Sequence, residues 1–181
     1  MTADPAAELH TIIALIRYGA SRFNAAGLTF GHSHDNALVA ELIESGFEPW
    51  LGGRTVQRAL DLCTGSGCIA IAMGHYNPDW HVYGVDISDD ALALAAENKA
   101  RLHADNVHFL RSNLFDDLLG THYDLIVTNP PYVTNDETDA LPKEYSYEPD
   151  LGLRAGDDGL DLVLKILRDA PLHLSQDGLL I

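Results

Sequence analysis

Residues 123–128, Tyr-Asp-Leu-Ile-Val-Thr, form an apolar, β-favouring run that stops abruptly at Asn129, Pro130, Pro131 and Tyr132. Proline has no N–H to give a sheet ladder, so the strand must end there. The stop is rigid and is flanked by one amide and one aromatic ring. Two other clusters carry polar chemistry. In residues 61–68, Asp-Leu-Cys-Thr-Gly-Ser-Gly-Cys, the glycines at 65 and 67 permit a tight turn. They also let a ligand reach the main chain without Cβ interference. The helix expected to follow offers free N–H groups to an anionic group. Alone, a G-x-G pair is a common turn. This one lacks the third glycine of the dinucleotide fingerprint and the Lys-Ser/Thr of a nucleotide P-loop. The second cluster, Gly-Val-Asp-Ile-Ser, places Asp86 one strand–helix–strand unit later. An acid there can accept both hydroxyls of a ribose, or it can cap the next helix in competition with Ser88 and Asp89. Farther on, Asn113 and Leu114 could meet the edge and face of an adenine, or be an ordinary loop amide and core side chain.

These residues need elements to hold them, and hydrophobic periodicity supplies the elements. Residues 5–26 read as an amphipathic helix with Leu9, Ile12, Ile13, Ile16 and Phe23 on one face. A turn-rich stretch follows with His32 and His34, a weak metal signal, since loop histidines are usually solvated; we expect no metal. Residues 37–51 read as a second amphipathic helix closed by Gly46, with Pro49 marking the stop. From Arg58 onward strands and helices alternate. Strands are expected at 58–65, 81–88, 107–113 and 123–130, and a fifth at 178–181. Helices are expected at 67–76, 89–104 and 159–174. Alternation implies parallel pairing through right-handed crossovers, a doubly wound, mainly parallel α/β sheet. Ligands in such sheets bind outside the carboxyl ends of the strands, and every unusual cluster falls at such an end.

The composition restricts partners. Lys and Arg number 11 against 27 Asp and Glu, a net charge of −16. That charge repels nucleic-acid backbones and anionic membranes and attracts basic proteins. Nine of the acids fall between residues 136 and 161, where the bases are Lys143 and Arg154 alone. No apolar run reaches bilayer-spanning length and no signal sequence opens the chain, so we expect a soluble, cytoplasmic protein. Cys63 and Cys68 match neither a zinc ribbon nor a redox pair, and small-residue packing is the expected role.

A G-x-G loop, a ribose-type acid and N-P-P-Y, in this order at successive strand ends, are far more specific together than apart. The set resembles the class I S-adenosylmethionine-dependent methyltransferases that modify planar nitrogen atoms, which have a Rossmann-like fold. An amide or amino nitrogen conjugated to a π-system is a poor nucleophile, so the site must bind the NH₂ group and aim its lone pair. By this resemblance, the Asn129 side-chain oxygen accepts one N–H and the Pro130 carbonyl accepts the other. Pro131 stiffens the turn and Tyr132 stacks on the planar substrate. Catalysis would be positional and electrostatic, with no metal. The same resemblance implies S-adenosylmethionine as cofactor, with S-adenosylhomocysteine as product. It places the donor against Asp61, Cys63, Thr64, Gly65, Ser66, Gly67, Asp86, Ile87, Asn113, Leu114 and Asn129.

Two substrate classes use N-P-P-Y: adenine in DNA and glutamine in proteins. A chain without a basic patch argues against DNA. Residues 141–160, with Glu148-Pro149 and Gly-x-Asp-Gly-Leu at 156–160, resemble the same segment of protein N5-glutamine methyltransferases. The spelling of residues 61–72 and of residues 22–36 is similar to the ribosomal-protein-modifying branch (PrmB type). The resemblance thus implies methylation of a glutamine side-chain amide in a large-subunit ribosomal protein, the third (uL3), a basic partner suited to an acidic enzyme. Peptide-release factors, N6 of adenine in DNA, or a truncated non-catalytic role are the alternatives. Residues 1–36 would be an abbreviated substrate-recognition segment and 37–181 the methyltransferase domain. The family has a longer helical segment and a β-hairpin between the equivalents of Asn36 and Leu38. It also has two further strands beyond the fifth.

Overall fold

The computed structural model describes residues 42–43, 45–130 and 161–181. The expected helix at 5–26, His32 and His34, residues 37–41 and 44 of the expected second helix, Pro131 and Tyr132, and the acidic run from 136 to 158 lie outside the described residues. The described strands are β1 (Arg58–Leu62), β2 (His81–Asp86), β3 (Val107–Arg111), β4 (Tyr123–Thr128) and β5 (Leu174–Leu180). The described helices are α1 (Cys68–Tyr76), α2 (Asp89–Leu102) and α3 (Asp161–Asp169), the last continued by a 3-10 turn over Ala170–Leu172. All strand pairs are parallel, in the order β3-β2-β1-β4-β5. This is the expected doubly wound arrangement.

Period-two alternation assigns the two faces. Ala59, Val82, Val107, Leu125 and Val127 join Ile69, Ile71 and Met73 of α1 in one apolar cluster. Leu60, Leu62, Val85, Tyr123 and Ile126 meet Ile166 of α3 and Ala170 in a second. β1 is buried from Ala59 to Leu62 because both of its faces are covered, as a central parallel strand requires. Before β1, Gly46 and Phe47 both take positive φ, and the Phe47 N–H reaches back to the Leu42 carbonyl at 2.7 Å. This closes the preceding helical turn at Gly46, as expected. Phe47 stacks on Trp80, with ring centroids 6.2 Å apart.

The C-terminal boundary differs from expectation. Helix α3 ends at Asp169, not 174, because Pro171 lacks the N–H needed to continue it. The fifth strand begins at Leu174, four residues before the expected glycine. The polar residues Ser175, Gln176 and Asp177 resemble a turn in sequence, yet they sit in the strand through an irregularity opposite Tyr123–Leu125. The Tyr123 N–H donates to the His173 carbonyl at 2.8 Å, and the Ser175 hydroxyl donates to Asp124 Oδ1 at 2.8 Å. Those two partners supply what local propensity lacks.

Candidate functional site

Strand register brings the separate clusters to one edge. Leu62 pairs with Val85 on one side and Thr128 on the other, and Asp86 pairs with Arg111. The residues after these positions therefore leave the sheet together: Cys63 to Gly67, Asp86 and Ile87, Asn113 and Leu114, and Asn129 with Pro130. The link continues past the strands, since the Thr64 N–H donates to the Val85 carbonyl at 2.9 Å. The Ser112 N–H donates to the Asp86 carbonyl at 3.0 Å.

The two glycines of the loop differ in kind. Gly65 has φ +55°, and a Cβ placed on it would meet nothing within 4 Å. The space beside it is open to a ligand. Gly67 has φ +79°, but there the missing Cβ makes room for the protein itself. A Cβ would lie 2.6 Å from Phe109 Cζ and 2.9 Å from the Ala95 Cβ. Gly67 is also the N-cap residue of α1 and has no side chain of its own with which to cap it. Phe109 of β3 thus fills the space at Gly67, while the space beside Gly65 stays open.

Asp86 does not cap helix α2. Ser88 does, accepting the Ala91 N–H at 3.3 Å. The Asp86 carboxylate instead accepts the Gly65 N–H through Oδ2 at 2.8 Å and the Ser88 N–H through Oδ1 at 3.0 Å. Each oxygen has a second lone pair left for a hydroxyl. Ile87 beside it is 43% exposed, an apolar surface at the strand end.

Asp61 is buried completely beneath the loop. Its Oδ2 accepts the Thr64 hydroxyl at 2.5 Å and the Ala70 N–H at 3.0 Å, so this carboxylate caps α1 from the neighbouring strand. Oδ1 has no partner among the described residues. Burial pushes the Asp61 pKa up to about 7; the bonds from Thr64 and Ala70 pull it down, and the Asp86 charge adds to the rise. A buried carboxyl oxygen without a partner is chemically suited to an ammonium donor. Burial, with the Asp61 and Asp86 charges, pushes the Cys63 thiol up to about 12, and burial with the Asp61 charge does the same for Cys68. Such thiols stay protonated and are poor nucleophiles, in keeping with a packing role.

At the third strand end, Asn113 is exposed and its Nδ2 donates to Asp116 Oδ2 at 2.9 Å. Leu114 takes φ +54°, and its side chain is only 5% exposed, lodged in the second apolar cluster. The structure gives that side chain to the core, so an approach to an adenine at this position would be through the backbone. At the fourth strand end, Asn129 and Pro130 are half-buried. The Thr128 hydroxyl donates to the Leu62 carbonyl at 2.9 Å and fixes the start of N-P-P-Y to β1.

Three supporting residues escaped sequence reasoning. Asn98 on α2 is buried and donates Nδ2 to the Ser66 carbonyl at 3.0 Å, bracing the glycine loop. Ser112 is buried and donates to the Leu114 carbonyl at 2.7 Å while accepting the Asp117 N–H at 3.2 Å. Thr128 is the third. Asn98 left a signal, as a polar residue on the buried stripe of an alanine-rich helix; the other two left none, because Ser and Thr are common at strand ends.

Comparison with known proteins places this geometry. Residues 38–144 match the family described as MTS, methyltransferase small domain. A ribosomal protein uL3 glutamine methyltransferase from Xanthomonas campestris is 60% identical over 255 aligned residues, covering 100% of this chain and 83% of its own length. The chain belongs to the ribosomal protein uL3 glutamine methyltransferase family. The uL3 glutamine methyltransferase from Xylella fastidiosa 9a5c is 51% identical, covering 100% of this chain and 82% of its own length. Among solved structures, the ribosomal protein L11 methylase from Lactobacillus delbrueckii superposes with a TM-score of 0.58 at 24% identity. It covers 85% of this chain and 61% of its own. That likeness establishes the methyltransferase fold. The 255 aligned positions exceed the 181 residues of this member of the uL3 methyltransferase family. Part of the alignment therefore faces no residue here. No described helix is long and apolar enough to cross a membrane.

Proposed function

We propose that this chain transfers a methyl group from S-adenosylmethionine to the side-chain amide nitrogen of a glutamine in ribosomal protein uL3. Family membership supports the reaction. The observation that carries the site is the register Val85–Leu62–Thr128, which sets the Gly65 loop, Asp86 and Asn129 side by side at one sheet edge. When bound, S-adenosylmethionine supplies an electrophilic methyl carbon on a cationic sulfur.

The residues of this chain bind and aim. The open side of Gly65 admits the donor against the main chain, and the remaining lone pairs of Asp86 accept the ribose hydroxyls. Asp61 Oδ1 accepts from the donor's ammonium group, and its negative charge favours a cation in a buried setting. Asn129 accepts one amide N–H of the glutamine through its side-chain oxygen and Pro130 accepts the other through its carbonyl. Both acceptors hold the NH₂ group while its lone pair faces the methyl carbon. Tyr132 offers an aromatic ring for the planar amide. Transfer would form the N–C bond as the C–S bond breaks, and the methylated nitrogen, strongly acidified, would shed one N–H proton to water, so no strong base is needed beforehand and the work of these residues is orientation.

The basic uL3 substrate suits a chain of net charge −16, with attraction steering the encounter. Radiolabelled donor incubated with uL3, with a release factor and a DNA duplex as parallel substrates, tests the reading. Label is expected on uL3 alone, reduced about 10²-fold or more by Asn129→Ala. Equal labelling by the two proteins would remove Asn129 from the mechanism, and label on the release factor or DNA would reassign the substrate.

A further inference from the structure

The amide of Asn113 is ambiguous as a recognition element, because one end donates and the other accepts. Asp116 removes that ambiguity. An ionised carboxylate can only accept, so the atom 2.9 Å from Asp116 Oδ2 must be the Asn113 NH₂ group. The Asn113 carbonyl oxygen is left as the accepting end of the amide. The backbone reinforces the pairing, since the Asp116 N–H donates to the Asn113 main-chain carbonyl, not to Oδ1, at 3.3 Å and closes the turn. On its other oxygen, Asp116 faces Lys165 Nζ of α3 at 3.9 Å. A chain of contacts thus runs from α3 through Asp116 to the end of β3.

We propose that Asp116, braced by Lys165, is a positioning residue that sets the direction of the Asn113 amide and so selects an amino-bearing purine in the methyl donor. This rests on the reading of Asn113 as a donor-site residue. Asn113 follows Ser112, whose N–H is bonded to the Asp86 carbonyl, so the base-facing and ribose-facing positions are neighbours across β2 and β3. A 6-amino purine presents N–H donors to an accepting oxygen. A 6-oxo purine presents an acceptor, and two acceptors facing each other leave both unpaired. Selection follows from the orientation of Asn113, and Asp116 controls that orientation without touching the ligand. The Asp116 side chain is 57% exposed, so its removal leaves no cavity.

Calorimetry on the whole chain with S-adenosylhomocysteine and its 6-oxo analogue, S-inosylhomocysteine, tests this. The wild type is expected to favour the adenine ligand by about tenfold or more, the worth of one hydrogen bond correctly made against one left unpaired. In Asp116→Ala the amide can turn, and the preference should fall to within about threefold, largely through tighter binding of the oxo ligand. Asp116→Glu, whose carboxylate can still only accept from Asn113, should restore the preference. An Asp116→Ala protein that keeps the full preference, or that loses both ligands equally, overturns the positioning role. Failure of the wild type to bind S-adenosylhomocysteine would instead reject the donor site itself, and this role with it.

Discussion

The carboxylate of Asp86 holds the backbone of Gly65, accepting its N–H at 2.8 Å across 21 residues of chain. The same carboxylate accepts the Ser88 N–H at the start of α2. The acid proposed to bind the ribose is therefore also the tie that shapes the loop beside it. Replacing Asp86 by Ala removes the ligand contact and loosens the loop together. Hydrogen bonds to a charged group contribute about 1.5–3 kcal/mol each, so the affinity for S-adenosylhomocysteine should fall at least about tenfold. Calorimetry measures it; unchanged affinity would place the ribose elsewhere.

Asp61 makes stability and donor binding depend on pH in opposite directions. Its folded pKa of about 7 lies above the ordinary 3.8, because burial penalises the charged form. A raised pKa means that this group's contribution to stability is fully present below about 3.8 and is lost as pH rises through about 7. Relative to Asp61→Asn, the ligand-free wild type should melt at progressively lower temperature from roughly pH 4 to pH 7 and change little above that. A cationic ligand favours the ionised carboxylate, so S-adenosylhomocysteine affinity should rise over the same interval in the wild type and stay flat in Asp61→Asn. Thermal melts and calorimetry across that interval read the two trends, and parallel behaviour of the two proteins would exclude Asp61 from both.

Alanine at the two loop glycines should separate function from folding. Gly65→Ala places a Cβ in open space, and its positive φ costs about 1 kcal/mol of stability. Donor affinity should suffer more than stability does. Gly67→Ala adds a clash with Phe109 and Ala95 to the same backbone strain and should cost about 3 kcal/mol. Denaturant midpoints and binding of S-adenosylhomocysteine distinguish the two; equal destabilisation would show that the space at Gly65 is not free.

Thr128→Val removes the hydroxyl bonded to Leu62 while nearly keeping side-chain volume. The Leu62 carbonyl then loses a partner, at a cost of about 1 kcal/mol. With Asn129 next in the chain, kcat on uL3 should fall several-fold while S-adenosylhomocysteine affinity changes little. A fall in affinity matching the fall in kcat would place the effect in the donor site and not at the N-P-P-Y turn.

Much of this arrangement was legible in the sequence. The short apolar runs, the glycine turn, the Ser88 cap and the alanine-rich helix are local signals, and the strands and helices they imply are present in order. Asp61, Asp86 and Asn129 could be assigned to strand ends because proline, glycine and capping residues mark where strands stop. The start of β5 was not legible. Ser175, Gln176 and Asp177 carry no strand signal and join the sheet through bonds to partners about fifty residues away, such as Asp124.

The sequence by itself determined the alternating α/β order, the parallel sheet and the motif set that marks the methyltransferase family. These depend on periodicity and chain order, which are written along the chain. Only the tertiary structure decided which polar atoms remain available at the site. It gave the space at Gly67 to Phe109 and the Leu114 side chain to the core, and it turned the Asp86 carboxylate to the Gly65 and Ser88 N–H groups. It also left Asp61 with one oxygen unpartnered among the described residues and turned the Asn113 amide with Asp116. The physical reason is that a group's remaining hydrogen-bonding capacity depends on neighbours folded in from other strands and helices, and no local pattern records them.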